Sequence, residues 1–149
     1  MLTIMITCRG GFSSSYISAV LNRQLKEKGL DDKIHFLYKP YDQYKNCDRI
    51  DEADIIFLST RLQYVSGKLA EKYPEKPFYV IPTRMYGLVN AEDYIEDAED
   101  VIAAFRETGK NPFCFEGEER AIRNYRTVSH RKWIAKNTEH KKLAKGCQQ

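Results

Sequence analysis

The chain has 149 residues, 42% hydrophobic and 30% charged, with a net charge of +3. This suits one globular domain with room for an appendage and excludes collagenous, disordered and disulfide-stapled classes. No apolar run nears the ~20 residues that span a bilayer. Met1 leads directly into an apolar run, so no secretory signal is expected and a cytoplasmic location follows. Cys8, Cys47, Cys114 and Cys147 form no C-x-x-C pair, and no histidine pair lies nearby at zinc-ligand spacing. Neither a metal nor another cofactor is expected, and the thiols should be free.

Leu2 to Thr7 is almost continuously apolar, as in a central strand covered on both faces. Ile17, Val20, Leu21 and Leu25 then mark one helical face, which Gly29 is placed to end. Ile34, Phe36 and Tyr38 alternate with His35 and Leu37, a second strand closed by Pro40. Tyr41 to Ala53 is polar and reads as a short helix or loop. Ile55 to Leu58 is a buried strand, and Leu62, Val65, Leu69 and Tyr73 a helical face stopped by Pro74. Phe78 to Ile81 is a fourth strand closed by Pro82. Tyr94, Ile95, Ala98, Val101, Ile102 and Phe105 form the clearest helical stripe, with Glu92, Asp93, Glu96, Asp97, Glu99 and Asp100 on what reads as a solvated outer face.

Strands alternating with helices imply right-handed crossovers and a parallel sheet. The expected fold class is α/β: a four-stranded parallel open sheet in flavodoxin-like order 2-1-3-4, helices on both faces, plus a C-terminal helical basic extension. The order itself is a choice of fold and is not dictated by periodicity. The chain divides near 106–112, where Gly109 and Pro112 break the pattern. Residues 1–105 hold 13 Lys/Arg against 16 Asp/Glu, and residues 106–149 hold 11 against 5. The body is mildly acidic and the tail basic. Ala121, Ile122, Tyr125, Val128 and Trp133 give an imperfect stripe for a helix from about Glu118 to Lys136.

The segment that carries chemistry is Thr7-Cys8-Arg9-Gly10-Gly11-Phe12-Ser13-Ser14-Ser15, between the first strand and the first helix. A thiol stands where the strand ends. Loop amides and the helix N-terminus would converge on it, favouring both a bound anion and the nucleophilic thiolate. A plainer reading makes this a glycine turn with Ser13 as helix cap and Cys8 as a small buried apolar residue. In an open α/β sheet, however, ligands bind at the carboxyl ends of the strands. The loops after the third and fourth strands then come close, offering Arg61, Tyr64, Arg84 and Tyr86 as site-lining candidates.

These motifs resemble the IIB component of the bacterial phosphoenolpyruvate-dependent sugar phosphotransferase system (PTS), of the lactose/cellobiose type. Cys8-Arg9-Gly10-Gly11-Phe12-Ser13-Ser14-Ser15 is similar to that family's Cys-x-x-Gly-Met-Ser-Thr-Ser. Ala53-Asp54 before a buried strand, Tyr64 after it, and Tyr86-Gly87 after the fourth strand also fit. The resemblance implies that Cys8 takes a phosphoryl group from a histidine of a IIA protein and passes it to a sugar held by the membrane IIC permease. Arg9 to Ser15 would then hold the phosphate, a task of positioning and charge stabilisation. Three departures stand out: Arg9 replaces a small residue, Ser59-Thr60-Arg61 replaces Gly-Pro-Gln, and Pro82 stands where an acidic residue is common.

Two other classes compete. A diverged regulatory or binding module would use the same anion loop without transfer. A low-molecular-weight phosphatase or arsenate reductase would need Arg six positions after the cysteine, where Ser14 stands, and an acid in the Thr83–Asn90 stretch, which has none. Dinucleotide and P-loop fingerprints are absent. His35 reads as a packed or edge strand residue, and His130 and His140 as solvated. The basic tail could pack on the body or meet an acidic partner or anionic membrane surface, and nothing in it resembles a nucleic-acid reader.

Overall fold

The structure, a computed structural model, describes residues 1–41, 50–120 and 124–137. The opening apolar run forms β1 (Leu2–Cys8), with Ile4, Met5 and Ile6 completely buried. It is followed by α1 (Phe12–Glu27), β2 (Ile34–Pro40), β3 (Ile55–Leu58), α2 (Gln63–Lys72), β4 (Phe78–Val80), α3 (Thr83–Leu88) and α4 (Ala91–Thr108). The strands pair in parallel in the order β2-β1-β3-β4, as expected.

Both faces of the sheet are covered, which is why β1 and β3 are apolar at consecutive rather than alternate positions. On one face Ile4, Ile6 and Phe57 meet Leu21 and Leu25 of α1 and Tyr94 and Val101 of α4. On the other, Met5, Ile56 and Leu58 meet Val65 and Leu69 of α2. Asn22 ties α1 to β2 through two side-chain bonds with the Phe36 backbone, both 2.9 Å. Asn90 caps α4 by accepting from the Glu92 N–H at 3.1 Å, and Gly109 closes it in the left-handed conformation.

The structure departs from expectation in four places. Thr83–Leu88, expected as loop, is a short helix with Pro82 at its N-cap, where the ring's fixed φ suits a helix start. Glu118 to Arg120 and Asn124 to Ser129 are not helical; helix is confined to 130–137, because Arg126 and Ser129 are drawn inward by α4 instead of following a helical stripe. Ala121, Ile122, residues 42–49 and His140 lie outside the described residues. The acidic outer face of α4 is only partly solvated: Glu92 and Glu99 are exposed, but Asp93 and Asp97 are buried beneath the tail. His130 is not free in solvent either, since its ring stacks on Phe115 with centroids 3.8 Å apart.

The tail reaches that position along the sheet edge. Asn111 accepts from the Phe78 N–H and donates to the Lys76 carbonyl, at 2.9 and 2.8 Å. The Phe113 N–H then donates to the Phe78 carbonyl at 2.9 Å. This pairing covers the open edge of β4, which would otherwise expose unpaired backbone groups.

Candidate anion site at the end of the first strand

Cys8 is the last residue of β1 and only 7% exposed. The chain turns away from it through Gly11, at φ +88°, and α1 begins at Phe12. The helix cap is therefore Gly11, not Ser13, and the cap position itself offers no side chain to the first amides. A Cβ at Gly11 would stand 2.6 Å from Pro40 Cγ at the end of β2, so the glycine is required by close packing as well as by its dihedral angle. A Cβ at Gly10 would meet only the Phe12 ring, at 3.6 Å.

This turn aims donors at the sulfur. The Gly11 N–H donates to Sγ at 3.1 Å and the Ser14 N–H at 3.4 Å. The Ser14 hydroxyl lies 3.1 Å from Sγ. Burial alone pushes the thiol up; hydrogen bonds from the Ser13 and Ser14 hydroxyls and from the Ser14 and Gly11 amides outweigh it and hold Cys8 below the usual thiol value. Ser13 in turn shares a 2.7 Å hydrogen bond with the Tyr86 hydroxyl. Burial, with the sulfur nearby, pushes Tyr86 up to about 12, so the phenol stays protonated. Ser15 does not face the sulfur; its hydroxyl donates to the Phe12 carbonyl at 2.9 Å.

A cavity of about 520 Å³ opens in front of Cys8. Arg9, Gly10, Phe12, Ser13, Arg61 and Tyr86 are all at its wall. Tyr64 and Arg84 are not: Tyr64 is exposed on the first turn of α2, and the Arg84 guanidinium lies over the Tyr125 ring, 5.3 Å from its centroid. Ser59, Thr60 and Thr83 also line the cavity, though none of them was a site-lining candidate from the sequence. The Thr60 and Thr83 hydroxyls bond each other at 2.6 Å across the ends of β3 and β4. The signal for them was topological: they follow strands neighbouring β1, so their loops open on the same side. Among the described residues no group of His, Cys, Asp and Glu is arranged to hold a metal ion.

Residues 3–97 match the family described as PTS system, Lactose/Cellobiose specific IIB subunit. The chain belongs to that family. It is therefore a component of PTS sugar phosphotransfer. Among solved structures, a cellobiose-specific phosphotransferase IIB component protein from Borrelia burgdorferi shares the fold at TM-score 0.52 and 19% identity, over 69% of this chain and 93% of that one. No curated protein matches the sequence. The IIB match contains the Cys8 loop, Ser59 to Arg61 and all of α3, and it stops at Asp97. The tail and its contacts with α4 thus extend beyond the matched region. No described helix is long and apolar enough to cross a membrane.

Proposed function

We propose that Cys8 is the phosphoryl carrier of this IIB protein. The observation that supports it best is the pair of amide donors, Gly11 and Ser14, directed at a buried sulfur. The Cys8 thiolate attacks the phosphorus of a phosphohistidine on a IIA protein. The S–P bond forms as the N–P bond breaks, and the electron pair returns to the imidazole nitrogen. The Gly11 and Ser14 amides and the Ser13 and Ser14 hydroxyls are then free to turn from the sulfur to the phosphoryl oxygens. In the second step a sugar hydroxyl held by the IIC permease attacks phosphorus. Its proton passes to a base on the permease side, the S–P bond breaks, and the thiolate is restored. A lowered thiol pKa serves both steps, as nucleophile and as leaving group.

In this reading Arg9 and Arg61 add positive charge at the cavity mouth, residues 1–105 carry the chemistry, and 106–149 are an appendage. The protein works in the cytoplasm, at the inner face of the membrane. The test is a phosphoenolpyruvate-driven relay with a IIA protein, followed by intact mass. Wild type should gain one thiol-linked phosphoryl group and Cys8→Ser none. A wild-type protein that stays unmodified while the IIA donor is phosphorylated would favour the regulatory-module alternative.

A further inference from the structure

Arg126 lies outside the matched region, yet it is among the most enclosed side chains in the molecule, 1% exposed. Its Nε donates to Glu118 at 2.7 Å. Nη1 reaches Asp97 of α4 at 2.9 Å and Met85 Sδ of α3 at 3.3 Å. Nη2 donates to the Tyr79 hydroxyl on β4, which itself donates to Asp97 at 2.9 Å. One guanidinium thus ties the tail to β4, α3 and α4 together. Its neighbour Tyr125 stands under the Arg84 guanidinium.

Two consecutive tail residues therefore hold two consecutive residues of α3, and the next residue of α3 is Tyr86. That helix has six residues and no side-chain cap, and it ends at Val89 with φ +48°. A helix so short has little stability of its own, so its placement depends on what packs against it. Beneath it, the Tyr94 hydroxyl donates to the Met85 carbonyl at 3.0 Å, which anchors the backbone and leaves the outward side open to the tail.

We propose that Tyr125 and Arg126 are positioning residues: they clamp α3 so that the Tyr86 hydroxyl stays bonded to Ser13 beside Cys8. This rests on the reading of Cys8 as the reactive thiol. It gives the extension a part in phosphotransfer through the geometry of the site and without touching the phosphoryl group. Loss of the clamp lets α3 drift, frees Ser13 from Tyr86, and weakens the donor set around the sulfur.

The test uses the full chain and iodoacetamide, which needs no IIA donor and so separates this proposal from the carrier reading. The rate of Cys8 alkylation is measured against pH for wild type, Arg126→Lys and Tyr125→Ala, with hydrogen exchange of the Thr83–Leu88 amides in parallel. Arg126→Lys keeps a cation for Asp97 but cannot span Asp97, Glu118, Tyr79 and Met85 at once. It should move the alkylation midpoint to higher pH, lower the rate at neutral pH about fivefold, as expected for one lost hydrogen bond, and speed exchange in α3. Tyr86→Phe added to it should cause little further change, because the same contact is already lost. Tyr125 is 63% exposed, so its alanine variant keeps the fold and should give a smaller shift in the same direction. An unchanged midpoint in folded Arg126→Lys overturns the proposal. Should that variant unfold, an unchanged midpoint in Tyr125→Ala overturns it instead.

Discussion

The Cys8 loop and the Arg126 clamp solve opposite electrostatic problems on either side of α3. The loop prepares a place for negative charge using backbone amides and hydroxyls, all drawn from residues 8–14. The clamp neutralises a buried cation using Asp97, Glu118 and Tyr79, drawn from three distant segments. If Cys8 carries a phosphoryl group, as proposed, neutral donors can serve the sulfur in both of its charge states. A clamp that never changes state can enclose full charges, provided every donor finds an acceptor.

The sharpest way to break this comparison is Arg126→Ala. It leaves Asp97 buried without its cation, so unfolding by urea should show a loss of about 3–5 kcal/mol. A loss below about 1 kcal/mol would mean the tail is an ornament on an already complete body. Gly11→Ala comes next. The left-handed conformation alone costs about 1–2 kcal/mol, and the contact with Pro40 adds to it, whereas Gly10→Ala should lie within about 0.5 kcal/mol of wild type. Equal stabilities for the two would show that the turn is not held as described. Because the clash is with Pro40, a bulky residue at Gly11 tests folding more than phosphate binding.

Ser14→Ala should act on chemistry more than on stability. It removes one hydrogen bond to the sulfur, so Cys8 titrates at higher pH and its alkylation at neutral pH slows by about fivefold to tenfold. The sign follows from linkage. The folded thiol lies below its unfolded value of 9.0, so its contribution to stability is present above the unfolded value and is lost as pH falls through the folded one. Wild type should therefore gain stability relative to Cys8→Ala as pH rises across that interval, and Ser14→Ala should gain less. The smallest effect belongs to Lys132, 36% exposed and shared among Glu92, Asp93 and Glu96 at 3.1 to 3.3 Å. Lys132→Ala should cost less than about 1 kcal/mol and the cost should shrink in high salt. A large, salt-insensitive loss would place Lys132 in the clamp beside Arg126.

The loop was legible in the sequence because its parts are local. Cys8, Gly11 and Ser14 lie within one turn, and a strand, a glycine and a helix start define where their donors point. Arg61 and Tyr86, expected from their place after the neighbouring strands, stand at the wall of the cavity in front of Cys8. Tyr64 and Arg84 were drawn in by the same argument, and the structure turns them elsewhere, because a loop's position does not decide which way each side chain faces. Thr60 and Thr83 were not among the site-lining candidates, since a lone hydroxyl carries no pattern of its own.

By itself the sequence determined the alternation of strands and helices, the double burial of β1 and β3, and the strand–glycine–helix turn at Cys8. Each rests on a repeat or a turn that spans a few residues and needs no partner to be recognised. Only the tertiary structure decided that Asp93 and Asp97 on the acidic face of α4 lie beneath the tail and that Arg126 belongs to the core. A row of carboxylates has the same spacing whether water or arginine lies over it. What settles the matter is the return of the chain after Gly109 along the edge of β4, which brings the tail's cations to α4 at hydrogen-bonding distance. Burying those charges is favourable only where several acceptors converge at once, and convergence across segments is a property of the fold that no local pattern encodes.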